Sequence, residues 1–244
     1  EISVTEKLLE FRKQGPNFKS DSFPTIAGYG PNGAIIHYRA ALETDRKIES
    51  GSLLLVDSGG QYAGGDVYGT TDITRTIAIG TPPVEAKEAF TRVLNGLIAM
   101  SRLRWPQGLA GRDIEAVGRL PLWMAGQDFD HGLGHGVGAY LSVHEGPQRL
   151  SKLSTVPLSE GMILSIEPGY YREGEFGIRL ENLMLVQIFK HAGEDGNETG
   201  KDLLCFETVT HVPFEDTCII RDRMSLSELK WLDDYHKKCP KPCI

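Results

Sequence analysis

The sequence predicts a fold of the α+β type, because two strand pairs joined by turns stand beside two long helices. The first strand pair spans 53–79 and the second spans 162–186. Apolar residues recur at helical spacing over 86–100 and 113–123. The length of 244 residues suits one large domain or two small ones, and the apolar content is ample for a core.

Composition argues against several classes of function. The net charge of -7 makes a nucleic-acid partner unfavourable. No apolar run approaches the length of a membrane span, and no signal-peptide pattern opens the chain, so we expect no membrane partner. The cysteines at 205, 218, 239 and 243 all lie in the last fifth of the chain. This distribution favours free thiols in a cytoplasmic protein over a disulfide framework.

The first segment, 1–14, predicts a helix that Ser3 or Thr5 could cap, with a short apolar face around Phe11. The chain lacks an initiator methionine, from which we expect an upstream segment.

The segment 28–33 has the pattern GxGxxG, which is typical of dinucleotide binding only between a strand and a helix. Pro31 interrupts the loop and the residues at 34–38 look extended, so we reject the nucleotide interpretation. The same segment presents His37 from a predicted strand behind the loop.

Two aspartates flank a glycine-rich stretch. Asp57 ends the apolar run 53–56, and Asp72 precedes 73–79, where isoleucines alternate with threonines as in a strand with one buried face. A hairpin here brings the two carboxylates side by side, and their repulsion then requires a shared proton or bound cations. The alternative is two turn or cap aspartates that never meet.

The segment 131–146 concentrates histidine and glycine. Frequent glycines deny it regular packing, so His131, His135 and His144 do not follow core periodicity. The spacing of the first two matches a helical metal pair, but the glycines argue against a helix. One histidine as a metal ligand, with its neighbours in substrate contact or proton transfer, fits better than a mobile loop with incidental histidines.

Two glutamates occupy strand positions further along the chain. Glu167 ends the apolar strand 162–166, and Glu181 lies in the middle of a strand predicted over 176–186. An ionised glutamate is seldom buried unless it is paired or metal-bound. Arg179 is therefore either the ion-pair partner of Glu181 or a group that supports a metal site from behind.

The last part of the chain predicts a polar loop at 190–202, a strand at 203–212 and an amphipathic helix at 225–235. A tail rich in lysine, proline and cysteine follows. No internal repeat or low-complexity tract is visible.

Four carboxylates and one imidazole form the candidate site, namely Asp57, Asp72, His135, Glu167 and Glu181. This hard, oxygen-rich donor set suits two divalent metal ions such as Mn(II), with Zn(II) or Co(II) as alternatives. Calcium fits less well because imidazole is a poor ligand for it. Two such ions can activate water and polarise a carbonyl, which is the chemistry of amide or ester hydrolysis.

The motifs that carry these residues make the chain resemble one known family. In order, they are AIIHY, LVDSGGQY, GTTDITRTIAIG, HGLGHGVG, VHEGP, SIEPGYY and FGIRLENLMLV. They are similar to those of aminopeptidase P, the Xaa-Pro aminopeptidase, of the eukaryotic cytosolic type. The resemblance covers nearly the whole chain and implies the pita-bread fold, a curved antiparallel sheet of six strands flanked by helices. It also implies peptide substrates with proline at the second position, and it is compatible with a homodimer.

The resemblance implies a role for each metal-ligating residue. Asp57 would hold one ion, Asp72 and Glu181 would bridge both, and His135 and Glu167 would hold the second. Glu167 would also serve as the general base.

The resemblance further implies residues that act beside the metals. His37, His131 and His144 would contact the substrate or the developing oxyanion, or would transfer protons. Tyr171 and Arg179 would support Asp57 from behind.

The chain departs from the family in two respects. Asp57 and Asp72 stand fifteen positions apart, four more than is usual in the family. Extra residues can lengthen the hairpin or enlarge its turn while keeping both side chains on one face. Full-length relatives also carry further N-terminal domains, so we expect this chain to be a catalytic domain.

Other members of the fold family offer alternatives. Prolidase, which cleaves Xaa-Pro dipeptides, is the nearest, although the forms VHEGP and EPGYY favour the aminopeptidase. Methionine aminopeptidase fits less well because its histidine motif differs. A catalytically silent peptide-binding domain would lack metal ligands, whereas all five are present here.

Overall fold

The computed structural model describes residues 1–190 and 203–240, and those residues form helices and antiparallel strands. The helices are α1 (Ile2–Gln14), α2 (Val84–Ser101), α3 (Gly111–Trp123) and α4 (Leu226–Lys238). The first seven strands are β1 (Phe18–Asp21), β2 (Ile26–Tyr29), β3 (Ser52–Ser58), β4 (Gly60–Gly64), β5 (Val67–Thr70), β6 (Ile73–Ile79) and β7 (Arg104–Pro106). The other seven are β8 (Gly134–His135), β9 (Arg149–Leu150), β10 (Ile163–Ile166), β11 (Gly169–Arg172), β12 (Phe176–Arg179), β13 (Asn182–Phe189) and β14 (Leu203–Thr208).

Strand pairing among the described residues is antiparallel throughout, which confirms the predicted α+β fold. The largest sheet has the order β10-β13-β14-β7, and a second has the order β2-β3-β6. A third sheet, β1-β4-β5, and the pairs β11-β12 and β8-β9 complete the pairing of the described strands. Hydrogen bonding is thus divided among several short sheets, where the resemblance implied one of six strands.

The main hydrophobic core lies between α2 and the sheet that contains β10 and β13. The inward face of α2 is fully buried, and it packs with apolar residues of those strands and of α3. The helices α2 and α3 approach closely at Gly96, where an added Cβ would lie 2.2 Å from the carbonyl oxygen of Gly118. Both helices match the sequence prediction and provide scaffold.

The first helix is confirmed in extent but not in its cap. Its N-cap residue is Glu1 rather than Ser3 or Thr5, and the helix has no fully buried residue. The predicted apolar face is weak because the Phe11 side chain remains 58% exposed.

The last helix begins as its sequence indicates. Ser225 is the N-cap of α4, and it exchanges hydrogen bonds with Glu228 in a capping box. The preceding strand β14 is shorter than predicted, ending at Thr208. Within the described ranges, no helix has the length and hydropathy required to cross a membrane.

Three of the four cysteines, Cys205, Cys218 and Cys239, are free thiols, as predicted. The fourth, Cys243, lies outside the described residues, as does nearly all of the polar loop predicted at 190–202.

The predicted hairpin between the two aspartates contains a second hairpin that the sequence did not indicate. Strand β3 pairs directly with β6, with Asp57 opposite Thr74. Between them, β4 and β5 form their own hairpin, which turns at Gly65 with a φ of 58° and pairs with β1 through β4. The wider spacing of the aspartates is therefore accommodated by strand structure rather than by a larger turn.

The prediction that β6 has one buried face is wrong, because Thr74, Arg75 and Thr76 follow one another and are all buried. Thr74 and Thr76 are completely buried, whereas Ile77 is 39% exposed. The threonine hydroxyls find partners inside the protein: Thr74 donates to Glu181, and Thr76 donates to the carbonyl oxygen of Arg179. A strand that borders a polar site buries polar side chains, so apolar alternation does not identify its buried positions.

The prediction that residues 34–38 are extended is also wrong. Residues Gly30–Ala34 form a 3₁₀ helix, and a turn follows in which the backbone N–H of Tyr38 donates to Ile35. The Glu1 carboxylate fixes this path, since it accepts hydrogen bonds from Asn32 and from the Tyr38 hydroxyl. Strand β2 precedes the glycines but no α-helix follows, in agreement with rejecting a dinucleotide site.

Candidate functional site

Strand ends and strand breaks bring four carboxylates to one place. Asp57 lies near the end of β3, and Asp72 lies immediately before β6. The backbone N–H of Glu181 donates to the carbonyl oxygen of Thr74 at 3.1 Å, which ties that residue to β6. Glu167 follows β10, and its N–H donates to Leu133 at 2.8 Å.

The sequence predicted that Glu181 lies in the middle of a continuous strand, and this prediction is wrong. The chain forms β12 up to Arg179 and resumes as β13 at Asn182, so Glu181 lies in the break between two sheets. Its side chain is nevertheless 1% exposed. The break frees the carboxylate to point toward the residues from β3 and β6.

Asp72, His135 and Glu181 form the tightest group of donors, with ligand atoms all within 4.8 Å of one another. The Nε2 atom of His135 lies 3.4 Å from Oδ2 of Asp72 and 3.3 Å from Oε1 of Glu167. Asp57 lines the same cavity as Asp72 and its charge acts on Asp72, so the two aspartates belong to one site and are not unrelated turn residues.

The surroundings of His135 leave one ring nitrogen available as a ligand. Its Nδ1 atom lies 3.0 Å from the carbonyl oxygen of Gly136. An N–H at Nδ1 donates to that oxygen, so Nε2 carries the lone pair and faces the carboxylates. The backbone N–H of His135 donates to Ser165, whose hydroxyl donates in turn to Glu167 at 3.0 Å.

The repulsion among the buried carboxylates is greater than their hydrogen bonds offset. Burial, together with the charges of Asp57 and Glu167, raises the pKa of Asp72 well above its usual range. Burial and the charge of Asp72 likewise raise the pKa of Glu181, and burial raises the pKa of Glu167. A cluster of this kind requires protons or cations, and an imidazole nitrogen facing carboxylate oxygens is a donor set for divalent metal ions.

Asp57 shows the same need at a single atom. Its Oδ2 accepts a hydrogen bond from Nη2 of Arg179 at 2.6 Å. Within the described chain, its Oδ1 is buried and has no hydrogen-bond partner. A buried carboxylate oxygen without a donor is costly, and a cation would satisfy it. The residues present therefore fit a metal site.

Arg179 is the ion-pair partner of Asp57 and not of Glu181. The burial of the Glu181 carboxylate is therefore not explained by an ion pair with Arg179. Although burial alone would lower the pKa of Arg179, Tyr171 and the nearby carboxylates raise it well above its usual value. Its Nη1 donates to the Tyr171 hydroxyl at 2.8 Å. The guanidinium thus holds Asp57 from behind while remaining charged.

His131 belongs to the same chain of contacts. Its Nδ1 lies 2.8 Å from the carbonyl oxygen of Gly132, and its Nε2 lies 2.8 Å from the Tyr171 hydroxyl. Burial, aided by the charge of Arg179, lowers the pKa of His131 to about 3, and burial raises the pKa of Tyr171 to about 12. The imidazole is therefore neutral near pH 7, and Tyr171 donates to it.

His37 and His144 differ from His131, because both are exposed and neither ring has a hydrogen bond among the described residues. The His144 ring packs edge-on against His135, with centroids 4.1 Å apart. Burial and the neighbouring His135 lower the pKa of His144. Both rings are free to meet a molecule that enters the site.

Sequence reasoning missed three polar residues that hold the donors. Thr74 donates to Oε2 of Glu181 at 2.8 Å, and Ser165 links His135 to Glu167. The buried Arg75 guanidinium donates to the backbone carbonyl of Glu181. Ser165 interrupts an apolar strand pattern, which is a usable sequence signal. The two β6 residues lie on opposite faces of the strand, and the alternation does not indicate that both are buried.

Arg75 also connects the site to the C-terminal part of the chain. Its Nη2 donates to the Tyr235 hydroxyl of α4 at 3.0 Å and to the carbonyl oxygen of Val212 at 2.7 Å. The Phe214 ring covers the guanidinium at 4.3 Å. A single buried cation thereby joins β6, Glu181 and the last helix.

The donors lie in a cavity of about 680 Å³. Its lining includes all five predicted metal ligands, the three predicted histidines and Arg179. Tyr171 is absent from this lining, in agreement with its place behind Arg179. Apolar side chains and two arginines complete the wall, among them Ile26, Ile36, Val143, Arg39 and Arg149.

Comparison with known families supports a peptidase. Residues 1–187 match the model of metallopeptidase family M24, and residues 202–242 match the model of the C-terminal region of the same peptidases.

Curated relatives match the chain over nearly its whole length. Aminopeptidase P1 of Lotus japonicus is 42% identical over 240 residues, which cover 98% of this chain and 35% of that protein. Xaa-Pro aminopeptidase 1 of Dictyostelium discoideum is 43% identical over 98% of this chain and 37% of that protein. The chain thus spans about a third of the length of the curated relatives it matches.

Solved structures include members of two related enzyme groups. An X-prolyl aminopeptidase from Caenorhabditis elegans, described as a cytosolic enzyme with a di-nuclear active site, superposes with a TM-score of 0.88 at 34% identity. That match covers 98% of this chain and 37% of the other. A prolidase from Pyrococcus furiosus superposes with a TM-score of 0.70 at 29% identity, covering 87% of this chain and 56% of the other.

Proposed function

Because the chain belongs to metallopeptidase family M24 and has its pita-bread fold, we propose that it is the catalytic domain of an Xaa-Pro aminopeptidase. Such an enzyme hydrolyses the bond between an N-terminal residue and a following proline. The observation that carries the proposal is the convergence of Asp57, Asp72, His135, Glu167 and Glu181 in one cavity, where their negative charge is not compensated.

The five donors would hold two divalent metal ions. Asp57 offers only Oδ1 to a cation, because Arg179 occupies its other oxygen, and this supports a role at a single ion. Asp72 and Glu181 have ligand atoms within 4.8 Å of one of His135, and the charge of Asp57 acts on Asp72, which supports a shared role for these two carboxylates at both ions. His135 and Glu167 are adjacent and would hold the second ion. We propose Mn(II), with Zn(II) and Co(II) as alternatives, since the set is rich in carboxylate oxygen.

When bound, the two ions would polarise the scissile carbonyl group and acidify a water molecule. Glu167, which accepts a hydrogen bond from Ser165, would accept a proton from that water as the general base. His37 and His144 project free rings into the cavity, where they can donate to the developing oxyanion or to the leaving nitrogen. Arg179 and Tyr171 keep Asp57 in position, and His131 accepts from Tyr171 in the cavity wall.

Proline at the second position follows from the substrate's chemistry. A prolyl amide has no N–H and contains a constrained ring, so a general peptidase that relies on that N–H handles it poorly. The apolar wall of the cavity around Ile36 and Val143 offers contact to such a ring.

Prolidase activity is the alternative, and peptide length separates the two functions. The test removes metal with a chelator, restores Mn(II), and measures release of the first residue from Xaa-Pro-Xaa and from a matched Xaa-Ala-Xaa peptide. We expect metal-dependent cleavage of the proline peptide alone. Cleavage confined to Xaa-Pro dipeptides would favour prolidase. The absence of both cleavage and metal binding would leave a peptide-binding domain.

The setting of the protein is part of the proposal. Three free cysteines and the cytosolic description of the nematode relative support a cytoplasmic enzyme. A homodimer stays a prediction from the family resemblance, and light scattering of the purified chain tests it.

A further inference from the structure

The hairpin of β4 and β5 lies between the two predicted metal-binding aspartates but contributes no residue to the cavity lining. It is fixed to the body of the protein on its β4 side. There, Tyr62 pairs with Phe18 of β1, and the two rings pack edge-on with centroids 5.7 Å apart. Arg12 of α1 reaches the Tyr62 hydroxyl at 3.3 Å. The hairpin is therefore anchored on one side by backbone pairing and by an aromatic contact.

The opposite face of the hairpin, which carries Gln61 and Tyr68, contacts a loop that contains the predicted catalytic residue His144. The side-chain amide of Gln61 donates to the backbone carbonyl of Leu141 at 2.6 Å. The Thr70 hydroxyl donates to the Oε1 atom of the same amide at 2.6 Å, which orients its N–H group toward Leu141. The Tyr68 and Tyr140 rings lie 6.1 Å apart. Two strands of the hairpin thus contribute to one contact surface.

The loop in question, Gly138–Glu145, is closed by its own hydrogen bonds. The N–H of Gly138 donates to Ser142 at 3.0 Å, and the N–H of Ser142 donates to the Glu145 carboxylate at 3.1 Å. The N–H of Glu145 donates to Gly136 at 2.8 Å, next to His135. Because these hydrogen bonds connect the residues of the loop to one another, a contact that restrains Leu141 restrains the whole loop.

His144 depends on this loop for its position. The ring is exposed and has no hydrogen bond within the described chain, so only the backbone and the edge contact with His135 direct it. Tyr140, at the tip of the loop, has a φ of 58°, a conformation that an unsupported tyrosine adopts rarely. The contacts with the hairpin offset that strain.

We propose that Gln61 and Tyr68 are positioning residues for His144, which act through the Gly138–Glu145 loop. The consequence for catalysis rests on the proposed function, in which His144 meets the substrate. The segment between Asp57 and Asp72 then has a role beyond joining two strands, since its hairpin supports the loop.

Hydrogen exchange tests the positioning itself and requires no activity. The variant Gln61→Glu keeps the size of the side chain and the acceptor for Thr70, but it cannot donate to Leu141. We expect exchange of the Gly138, Ser142 and Glu145 amides to accelerate by about tenfold, the effect of losing one hydrogen bond. Val67→Ala, on an exposed position of the same hairpin, is the matched control and leaves these amides unchanged.

The second variant, Tyr68→Ala, removes an exposed ring and tests the aromatic contact separately. We expect a smaller acceleration of exchange at the same three amides. Unchanged exchange in both Gln61→Glu and Tyr68→Ala would overturn the proposal. General acceleration across β1 and β4 would also overturn it, because the hairpin would then serve only the stability of its own sheet.

Kinetics on an Xaa-Pro-Xaa peptide tests whether the positioning acts through His144. We expect Gln61→Glu to lower kcat by about tenfold with KM nearly unchanged, because a misplaced ring affects the transition state. In a His144→Ala background, Gln61→Glu adds no further loss. An undiminished loss in that background would mean that Gln61 acts on another group. If the parent chain shows neither turnover nor metal binding, the proposed function fails, and the exchange experiment still decides the positioning.

Discussion

The floor and the rim of the cavity are built in different ways. The floor consists of Asp57, Asp72, Glu181 and Glu167 with His135, held by strand ends and by buried donors such as Thr74 and Arg179. The rim consists of the exposed rings of His37, which lies in a turn, and His144, which lies in a bend, and neither ring has a hydrogen bond in the described ranges. Glu181 is 1% exposed, so its position is determined by several neighbours at once.

This difference assigns separate tasks to the two parts. A rigid floor concentrates negative charge that only cations relieve, and it fixes where those cations would bind. A rim without internal partners keeps its donors available for a substrate that arrives and leaves. Floor substitutions should therefore change metal binding and activity together, whereas rim substitutions should change activity alone.

The largest effect is expected for Glu167→Gln. The amide cannot accept a proton as a carboxylate does, and it is a weaker ligand beside His135. We expect kcat on an Xaa-Pro-Xaa peptide to fall by at least about 10³-fold and the metal content per chain to drop. Elemental analysis and initial rates measure the two. Retention of full activity would exclude Glu167 as both base and ligand.

A smaller loss is expected for His37→Ala on the rim. Removing one donor to the oxyanion or leaving group should lower kcat by about 10- to 100-fold. Metal content and melting temperature should match the parent because the exposed ring supports no buried group. If His37→Ala lost metal, the separation between floor and rim would be wrong.

A substitution of Thr74 tests how the floor is held without replacing any carboxylate. Thr74→Val keeps the shape but leaves Oε2 of Glu181 and Nε of Arg179 without their partner. We expect the free energy of unfolding to fall by about 1–3 kcal/mol. Ile77→Val, at an exposed position on the same strand, should change it by less than about 0.5 kcal/mol. Chemical denaturation compares the two, and equal effects would contradict the assignment of the buried face.

The smallest effect is a pH dependence of the metal-free protein. The pKa values of Asp72 and Glu181 are raised on folding, mainly by burial. The folded state therefore binds more protons than the unfolded state once the pH exceeds the unfolded values of about 4. Stability should fall as the pH rises from there through the raised folded pKa values.

Thermal melts of chelator-treated protein measure this pH dependence, and Asp72→Asn should flatten it. A melting temperature that increases across the same window would show that the carboxylates do not repel one another in the folded state.

The sequence identified the floor residues better than it identified their surroundings. Asp57 and Glu167 end apolar runs, and such a position carries its own signal because the strand pattern stops at a charged residue. Glu181 was found for its burial but assigned to a continuous strand, since the break before β13 leaves no gap in the apolar pattern. Local patterns report which residues are buried and not how the backbone bends.

Other features depended on contacts far apart in the chain. Thr74 and Arg75 lie on opposite faces of β6 and are both buried against residues more than a hundred positions away, which alternation along the strand does not indicate. The turn at His37 depends on Glu1, and the β4–β5 hairpin depends on β1. These arrangements follow from tertiary packing, which the patterns of a single sequence do not reveal.

The buried guanidinium of Arg75 has a consequence for how the chain unfolds. It bonds to Glu181 and to Tyr235, which fall in the regions matched by the two separate family models. Detaching the last helix would take the Tyr235 hydroxyl away from this buried charge, while its bonds to Glu181 and Val212 stay within the rest of the chain. We therefore expect the two regions to unfold in a single cooperative transition, and a protease that clips the chain before Leu226 should weaken metal retention although every predicted ligand remains on the larger fragment.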